Sequence, residues 1–290
     1  GVSRAGNIIP LLDTKGYLAM RREAFANSGL ALTEANAPDL LLADTTRYTD
    51  FSKYLVGANN LTQDYNLGYV TGGELTSFRL NGNLRREAFQ FDRSKSSDRY
   101  NIGFNVNHRS ADRRFTLDMA GNFAQNSSNL TVYDPASYLY LMPHLQLRND
   151  DGSLNWKIGP YSFSSLGFTN PLAQLENSFS GKFKNLFANI GLQYQLYPDL
   201  NLKITGGYSF GNNNEKARYP STGIDPSTSN LPFANFSSGS RYSWIVEPQL
   251  TYNKQIGLHN LNFLLGSSIQ QDGSENTLLA GTNYSDDNLL

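Results

Sequence analysis

Residues 98–127, DRYNIGFNVNHRSADRRFTLDMAGNFAQNS, constrain the fold more than any other stretch of the chain. The even positions Tyr100, Ile102, Phe104, Val106 and His108 are large and mostly apolar. The odd positions between them are Asn101, Gly103, Asn105, Asn107 and Arg109. After the polar break Ser110–Arg113 the phase flips, with Phe115, Leu117, Met119, Gly121 and Phe123 in one set and Thr116, Asp118, Ala120, Asn122 and Ala124 in the other. Side chains on a pleated strand point to alternate faces, so strict alternation over about ten residues is a strand with two unlike faces. Two such runs across a tight break form a hairpin. The polar face is rich in Asn and Gly and poor in charge, unlike the water-facing sheet of most soluble proteins. Ten-residue strands, one apolar face, one polar face and tight turns are the signature of a transmembrane β-barrel.

The same pattern recurs along the chain. Leu61–Thr71 turns at Gly72–Glu74 into Leu75–Glu87; residues 181–196 turn at Tyr197–Asp199 into 200–210; residues 241–254 turn at Gln255–Leu258 into 259–270. That makes about eight strands. Residues 1–60 precede the hairpins. There Asp13 or Thr14 can cap a helix through TKGYLAMRREAFANSG that stops at Ser28-Gly29, Thr49 can cap a second over TDFSKYLVG that stops at Gly57, and ANAPDLLL (35–42) reads as irregular. Two long connections are expected, 128–180 with a helix over 134–144, and 211–240; the tail 271–290 reads as loop. Residues 61–290 are thus expected to be a partial transmembrane barrel domain, preceded by a helical excursion over 1–60 with short helices in 13–57.

Connection lengths alternate short and long, as in outer-membrane barrels with short turns on one side and long loops on the other. A soluble sandwich has no reason to gather every short turn at one end. Tyr242 and Tyr252 share a face, and at ~3.3 Å per residue and about 40° of tilt they stand roughly 25 Å apart along the normal, the height of an apolar band. Trp244, Tyr208, Phe210, Phe123 and Tyr100 fall near the loop ends of their strands, and Tyr69 and Tyr194 near the turn ends, as aromatic girdles require. Pro248 interrupts a strand and removes a ladder donor, so a bulge is expected there.

Composition narrows the function. With 24 basic and 25 acidic residues there is no electrostatic footprint for nucleic acid. Only 17% of residues are charged, and polarity comes instead from amides and glycine, with 32 Asn and 25 Gly. Cysteine is absent, which removes disulfides and thiolate metal sites. No run of about eighteen apolar residues offers a transmembrane helix, and residues 1–10 lack a signal-peptide layout; the chain reads as a segment of something longer.

No catalytic, cofactor or metal site is read. His108, His144 and His259 are isolated, and no nucleophile elbow, phosphate loop or dinucleotide fingerprint occurs. Asn149–Ser153 lacks the alternating acids and terminal glutamate of a calcium loop and reads as a polar turn. Asn-x-Ser/Thr triplets at Asn60, Asn126, Asn129, Asn235 and Asn283 fit chance in an Asn-rich chain. Asp64, Arg79, Arg85, Arg99, Arg109, Asp118, Lys203 and Glu247 are the candidate lumen-lining residues, because all eight fall on the inward phase. Solvation and salt bridging of a lumen wall is the plain role for them; contact with a plug or a passing substrate is the sharper one.

Taken together, YLAMRREAFANSG (17–29), NAPDLL (36–41), DTTRYTDFSKYLVG (44–57), GGELTSFRLNGNLRRE (72–87), NPLAQLEN (170–177) and WIVEPQLTYNKQIGLHNLNFLLGSSIQ (244–270) resemble the SusC/RagA-like TonB-dependent outer-membrane transporters of Gram-negative bacteria. The resemblance covers nearly the whole chain, in order. It implies an all-β, antiparallel up-and-down segment forming an open part of a 22-stranded barrel. It further implies a location in outer-membrane lipid, import of an oligosaccharide or peptide with a SusD-like surface lipoprotein, and TonB contact through a plug region absent from this segment. It carries no ligand-binding motif residues, no cofactor and no enzymatic activity. Three competitors remain at this stage: a passive porin-like barrel, a β-rich carbohydrate-active enzyme that would need two carboxylates meeting in a cleft, and a soluble adhesin with both sheet faces packed.

Overall fold

The computed structural model describes residues 2–3, 10–56, 59–89 and 95–290. Its main body is one antiparallel sheet of long strands: β1 (Asn60–Gly72), β2 (Thr76–Ala88), β3 (Ser96–Arg109), β4 (Phe115–Thr131), β5 (Ser178–Tyr197), β6 (Leu200–Tyr219), β7 (Phe233–Ile256), β8 (His259–Gly266) and β9 (Ile269–Thr282). Each strand from β1 to β7 pairs with the next in chain order, and β8 and β9 both return along β7. Up-and-down order puts the turns at 73–75, 110–114, 198–199 and 257–258 at one end of the sheet, and the end of β2, the start of β3 and the connections 132–177 and 220–232 at the other. The first and last strands are not hydrogen-bonded to each other, so the sheet is open; on the β1 edge, among the described residues, Val2 and Ser3 pair with Leu61 and Asn60.

The register fixes the two faces. Opposed residues on an antiparallel pair share a side, and the pairings run unbroken from β1 through β7 except for one shift near Leu196. Leu67, Phe78, Phe104, Leu117, Ile190, Ile204, Val246 and Phe263 therefore lie on one face, and Asn105, Asn122, Thr205 and Gln249 on the other. Among the described residues nothing forms a second layer over the apolar face: Leu67 is 74% exposed and Leu265 72%. Gly121 sits on this face opposite Phe104, and a Cβ there would collide with the Phe104 ring, which lies across the gap. Among the described residues no helix is long and apolar enough to cross a membrane.

The buried core lies elsewhere, in a cap over the loop end. Its helices are α1 (Thr14–Ser28), α2 (Pro38–Leu41), α3 (Phe51–Val56) and α4 (Pro171–Glu176). Asp13 caps α1, accepting from the Gly16 amide at 2.7 Å, and Gly29 closes it at φ 66°, a conformation that favours glycine. Phe51, Leu55 and Val56 of α3 pack with Leu145, Leu147, Ile158, Phe163 and Leu172 of the 132–177 loop. Leu18, Phe25, Ala37 and Leu40 form a second, smaller cluster.

Several boundaries differ from the sequence reading. The connection expected over 211–240 shrinks to 220–232, and that expected over 128–180 to 132–177. The stretches Gly211–Asn214 and Ser237–Ser240 are strand although both faces are polar; alternation fades because these residues stand beyond the apolar band. For the same reason most of the tail 271–290 is strand, to Thr282, with only the end beyond it outside the sheet. The helix expected over 134–144 is one 3₁₀ turn, Pro135–Tyr138, capped by Asp134, and Pro143 cannot donate to a continuing helix. Residues 38–41, expected to be irregular, form the short α2, which Pro38 opens at its first position. Asp50 rather than Thr49 caps α3, its carboxylate accepting from the Ser52 and Lys53 amides, and the Thr49 amide is donated to the Pro143 carbonyl at 2.6 Å. The expected helix end at Gly57 lies outside the described residues.

Pro248 makes no bulge. Gln249 pairs with Gly266 and Val246 with Ile269, so register is the same on both sides of the break. Ser267 still donates to the Pro248 carbonyl at 3.1 Å, while proline has no amide to return. Half of one ladder rung is lost and the returning strand divides into β8 and β9.

Candidate lumen face and loop cap

The polar face is built from short side chains. On β2, β3 and β4 its central positions are Asn81, Asn83, Asn101, Gly103, Asn105, Ala120 and Asn122, and β5 to β7 continue it with Asn189, Gly207, Ser209 and Ser243. The amides bond across strands: Asn83 donates to Asn66 at 2.6 Å and Asn122 to Asn101 at 2.8 Å. Short side chains leave room, and a hollow of about 460 Å³ runs over Asn105, Asn122, Asn189, Ser209 and Ser243, with Phe187 as a large apolar member.

All eight candidate lumen-lining residues fall on this face. Asp64 lies opposite Arg85, and Arg85 opposite Arg99, in one row across three strands near the loop end. Arg85 is also bonded to Glu87, two residues along its own strand. Arg79, Arg109, Asp118, Lys203 and Glu247 lie nearer the turn end. Glu247 accepts from the Thr205 hydroxyl at 3.3 Å. The charges thus flank the amide-rich middle on both sides, and they do not converge on one point. Among the described residues no group of three or more His, Asp and Glu is placed to hold a metal ion. The Asn149–Ser153 segment is a turn: Asn149 donates to the Ser153 carbonyl at 2.8 Å, and the Asp151 carboxylate is occupied by the Ser153 amide and hydroxyl.

The opposite face carries the aromatic girdles. Phe123, Leu186, Phe210 and Tyr242 form one continuous rung across β4 to β7 at the top of the apolar band. Tyr69 and Phe78, 6.5 Å apart, and His108 and Phe115, 6.2 Å apart, mark its turn-side edge.

The sequence reading missed a buried polar network in the cap. Asp39 is 3% exposed and accepts from the Tyr17 hydroxyl at 3.0 Å and from Arg21 Nε at 3.1 Å. Burial, then the Asp39 charge, pushes the Tyr17 hydroxyl up to about 12. His144 is buried against Tyr17, with its Nε2 at 2.8 Å from the Asp39 carbonyl. These four residues tie α1 and α2 to the 132–177 loop. The dipeptide Pro38-Asp39, a helix start carrying an acid, was the available signal.

Comparison with known proteins places this geometry. The chain matches two structures of the RagAB peptide importer and transporter over its full length, with TM-scores of 0.71 and 0.72 at 16% and 15% identity, covering 36% of each matched chain. The fold is that of the matched part of the RagAB chains. A third RagAB structure, in an "open-open" state, matches 86% of the chain with a TM-score of 0.64 at 15% identity and 28% coverage of that chain. In sequence, "TonB-dependent receptor P3" of Formosa agariphila is 27% identical over 239 residues, which is 81% of this chain and 22% of the relative. The chain therefore spans about a fifth of that curated relative and about a third of the RagAB chains. No family model matches. The matched proteins are named as a receptor and as a peptide importer or transporter. The uncovered apolar face differs from that of a soluble adhesin, whose sheets would pack on both sides.

Proposed function

We propose that this chain supplies wall, lumen lining and surface loops to an outer-membrane transporter that imports a nutrient, an oligosaccharide or a peptide, using the TonB system. The observation that carries the reading is the clean division of faces. Every candidate charge and the amide-rich hollow lie on one side, and the uncovered apolar band with its girdles lies on the other. Such a sheet fits lipid outside and a wet passage inside. The RagAB likeness favours a peptide over a sugar. The loop cap, residues 13–57 with the 132–177 and 220–232 connections, is the surface we assign to a SusD-like lipoprotein lid. The eight lumen residues solvate the wall and contact a plug or the passing substrate.

Uptake of labelled oligopeptides and oligosaccharides by cells carrying the protein tests this. Uptake of one class should stop when TonB is removed, and R85E/R99E should change its rate at unchanged protein level in the outer membrane. Uptake that continues without TonB would establish the passive porin-like reading instead.

A further inference from the structure

Two adjoining hollows in the loop cap carry opposite charges. The first, about 270 Å³, lies where residues 10–17, 48–51 and 139–143 meet. Leu12, Tyr17, Phe51, Leu141 and Pro143 make its walls apolar, and the Asp50 carboxylate is the one charged group among its lining residues. The second, about 460 Å³, is lined by Arg47, Tyr54, Gln146 and Arg148. Tyr48 and Thr49 belong to both, so the two hollows share a wall.

Bonds between distant segments hold these walls in place. The Thr49 amide donates to the Pro143 carbonyl, and the Thr14 hydroxyl donates to the Arg47 carbonyl at 2.6 Å. Tyr17 is fixed through its hydroxyl on Asp39. A ligand entering finds the site already ordered, which removes much of the usual entropic cost of binding. Leu12, Tyr48, Tyr54 and Tyr140 nevertheless leave large apolar surface in water, and tyrosine rings offer such surface with a polar tip.

The charges are only partly answered within the chain. Asp50 Oδ1 accepts from the Ser52 and Lys53 amides and from the Ser52 hydroxyl. Among the described residues, Oδ2 has only Lys53 Nζ at 3.7 Å, on a side chain that is 86% exposed. In the second hollow Arg47 is held by Asp44 and Asp150. Arg148 makes no ion pair among the described residues. Its Nη1 donates to the Gly152 carbonyl at 2.8 Å, which orients the guanidinium and leaves most of its donors for another acceptor.

An apolar socket beside a carboxylate, with a guanidinium in the next hollow, complements a short peptide with free ends. Carboxylates and guanidinium groups pair most strongly with ionised partners, and a neutral sugar would answer neither charge. We propose that the two hollows hold one short peptide end to end. Its ammonium meets Asp50 Oδ2, its first side chain fills the apolar socket, its backbone crosses Tyr48 and Thr49, and its carboxylate meets Arg148. The inference rests on the reading that the cargo is a peptide, and adds that both ends are read.

The test is calorimetric titration of the detergent-purified full protein with the tripeptide phenylalanyl-alanyl-alanine. Acetylating its amino end or making D50N should each weaken binding about tenfold, and so should amidating its carboxyl end or making R148Q. Asparagine caps helices as well as aspartate does, so D50N keeps α3. The effects should not compound: acetylation should change nothing further in D50N, nor amidation in R148Q. Equal binding of the doubly blocked peptide, or a full acetylation loss in D50N, would overturn the proposal. So would maltotriose displacing the peptide at the same concentration. Uptake reports the transport reading separately. If peptide uptake needs TonB but the peptide's ends are not read, only this site fails; if the ends are read and uptake continues without TonB, only the transport reading fails.

Discussion

Phe163 in the loop cap is 1% exposed and Leu67 on the wall is 74% exposed, although both are large apolar side chains in ordered structure. The cap follows the rule of a water-soluble core: α3 and the 132–177 loop enclose Phe51, Phe163 and Leu172, and its buried acid Asp39 is paired. The wall inverts that rule. Its apolar side chains gain nothing from one another across a second layer, and its polar side chains bond laterally along the opposite face. One chain thus carries two solvation regimes, and the boundary between them runs along the Phe123–Leu186–Phe210–Tyr242 rung.

Truncation separates the regimes most strongly. Phe163→Ala should cost the cap about 3–5 kcal/mol, seen as faster amide exchange at Leu145 and Leu147 while the wall strands stay protected. Leu67→Ala should change stability in lipid by no more than about 1 kcal/mol. Equal losses at the two sites would erase the distinction. A charge sharpens it from the other side: Ile190→Arg should destabilise the reconstituted protein by about 2–4 kcal/mol, whereas Asn189→Arg, one residue along and facing the lumen, should be close to neutral in the same urea titration.

Two smaller effects are confined to the cap. Asp13→Ala removes the side-chain acceptor for the Gly16 amide and should cost ~1 kcal/mol, fraying α1 without disturbing β1. The second concerns alkaline pH. The Tyr17 proton is held to about 12 in the folded cap against ~10 in an unfolded chain, so folding retains a proton that the open chain releases. Its contribution is full below about pH 10 and drains as pH rises towards 12. The cap should loosen over that window, as read by tryptophan fluorescence of Trp156, and Tyr17→Phe should flatten the dependence.

Where one face of a strand is apolar the sequence was readable. Period-two alternation locates the hairpins and assigns both faces, and it puts the eight candidate charges on the polar one. Alternation is a signature of unlike environments, so it vanished where both faces meet water. Gly211–Tyr219, Phe233–Ser240 and the strand to Thr282 therefore read as loop. Pro248 was recognised as a lost donor, but its consequence depended on which neighbour needed that amide. The cap was the least legible part. Its network joins Tyr17, Asp39 and His144 across more than a hundred residues of chain, and only packing brings them together.

The central claim is that a single sheet separates lipid from a wet lumen. The chain has no cysteine, so single cysteines at successive positions 115–124 of β4 can each carry a nitroxide in the liposome-reconstituted protein. Collision with oxygen, which concentrates in lipid, should peak at 115, 117, 119, 121 and 123, and collision with a water-soluble nickel chelate at 116, 118, 120, 122 and 124. The two profiles should alternate out of phase with period two. Profiles that rise and fall together, or oxygen accessibility that is low at all ten positions, would contradict the account.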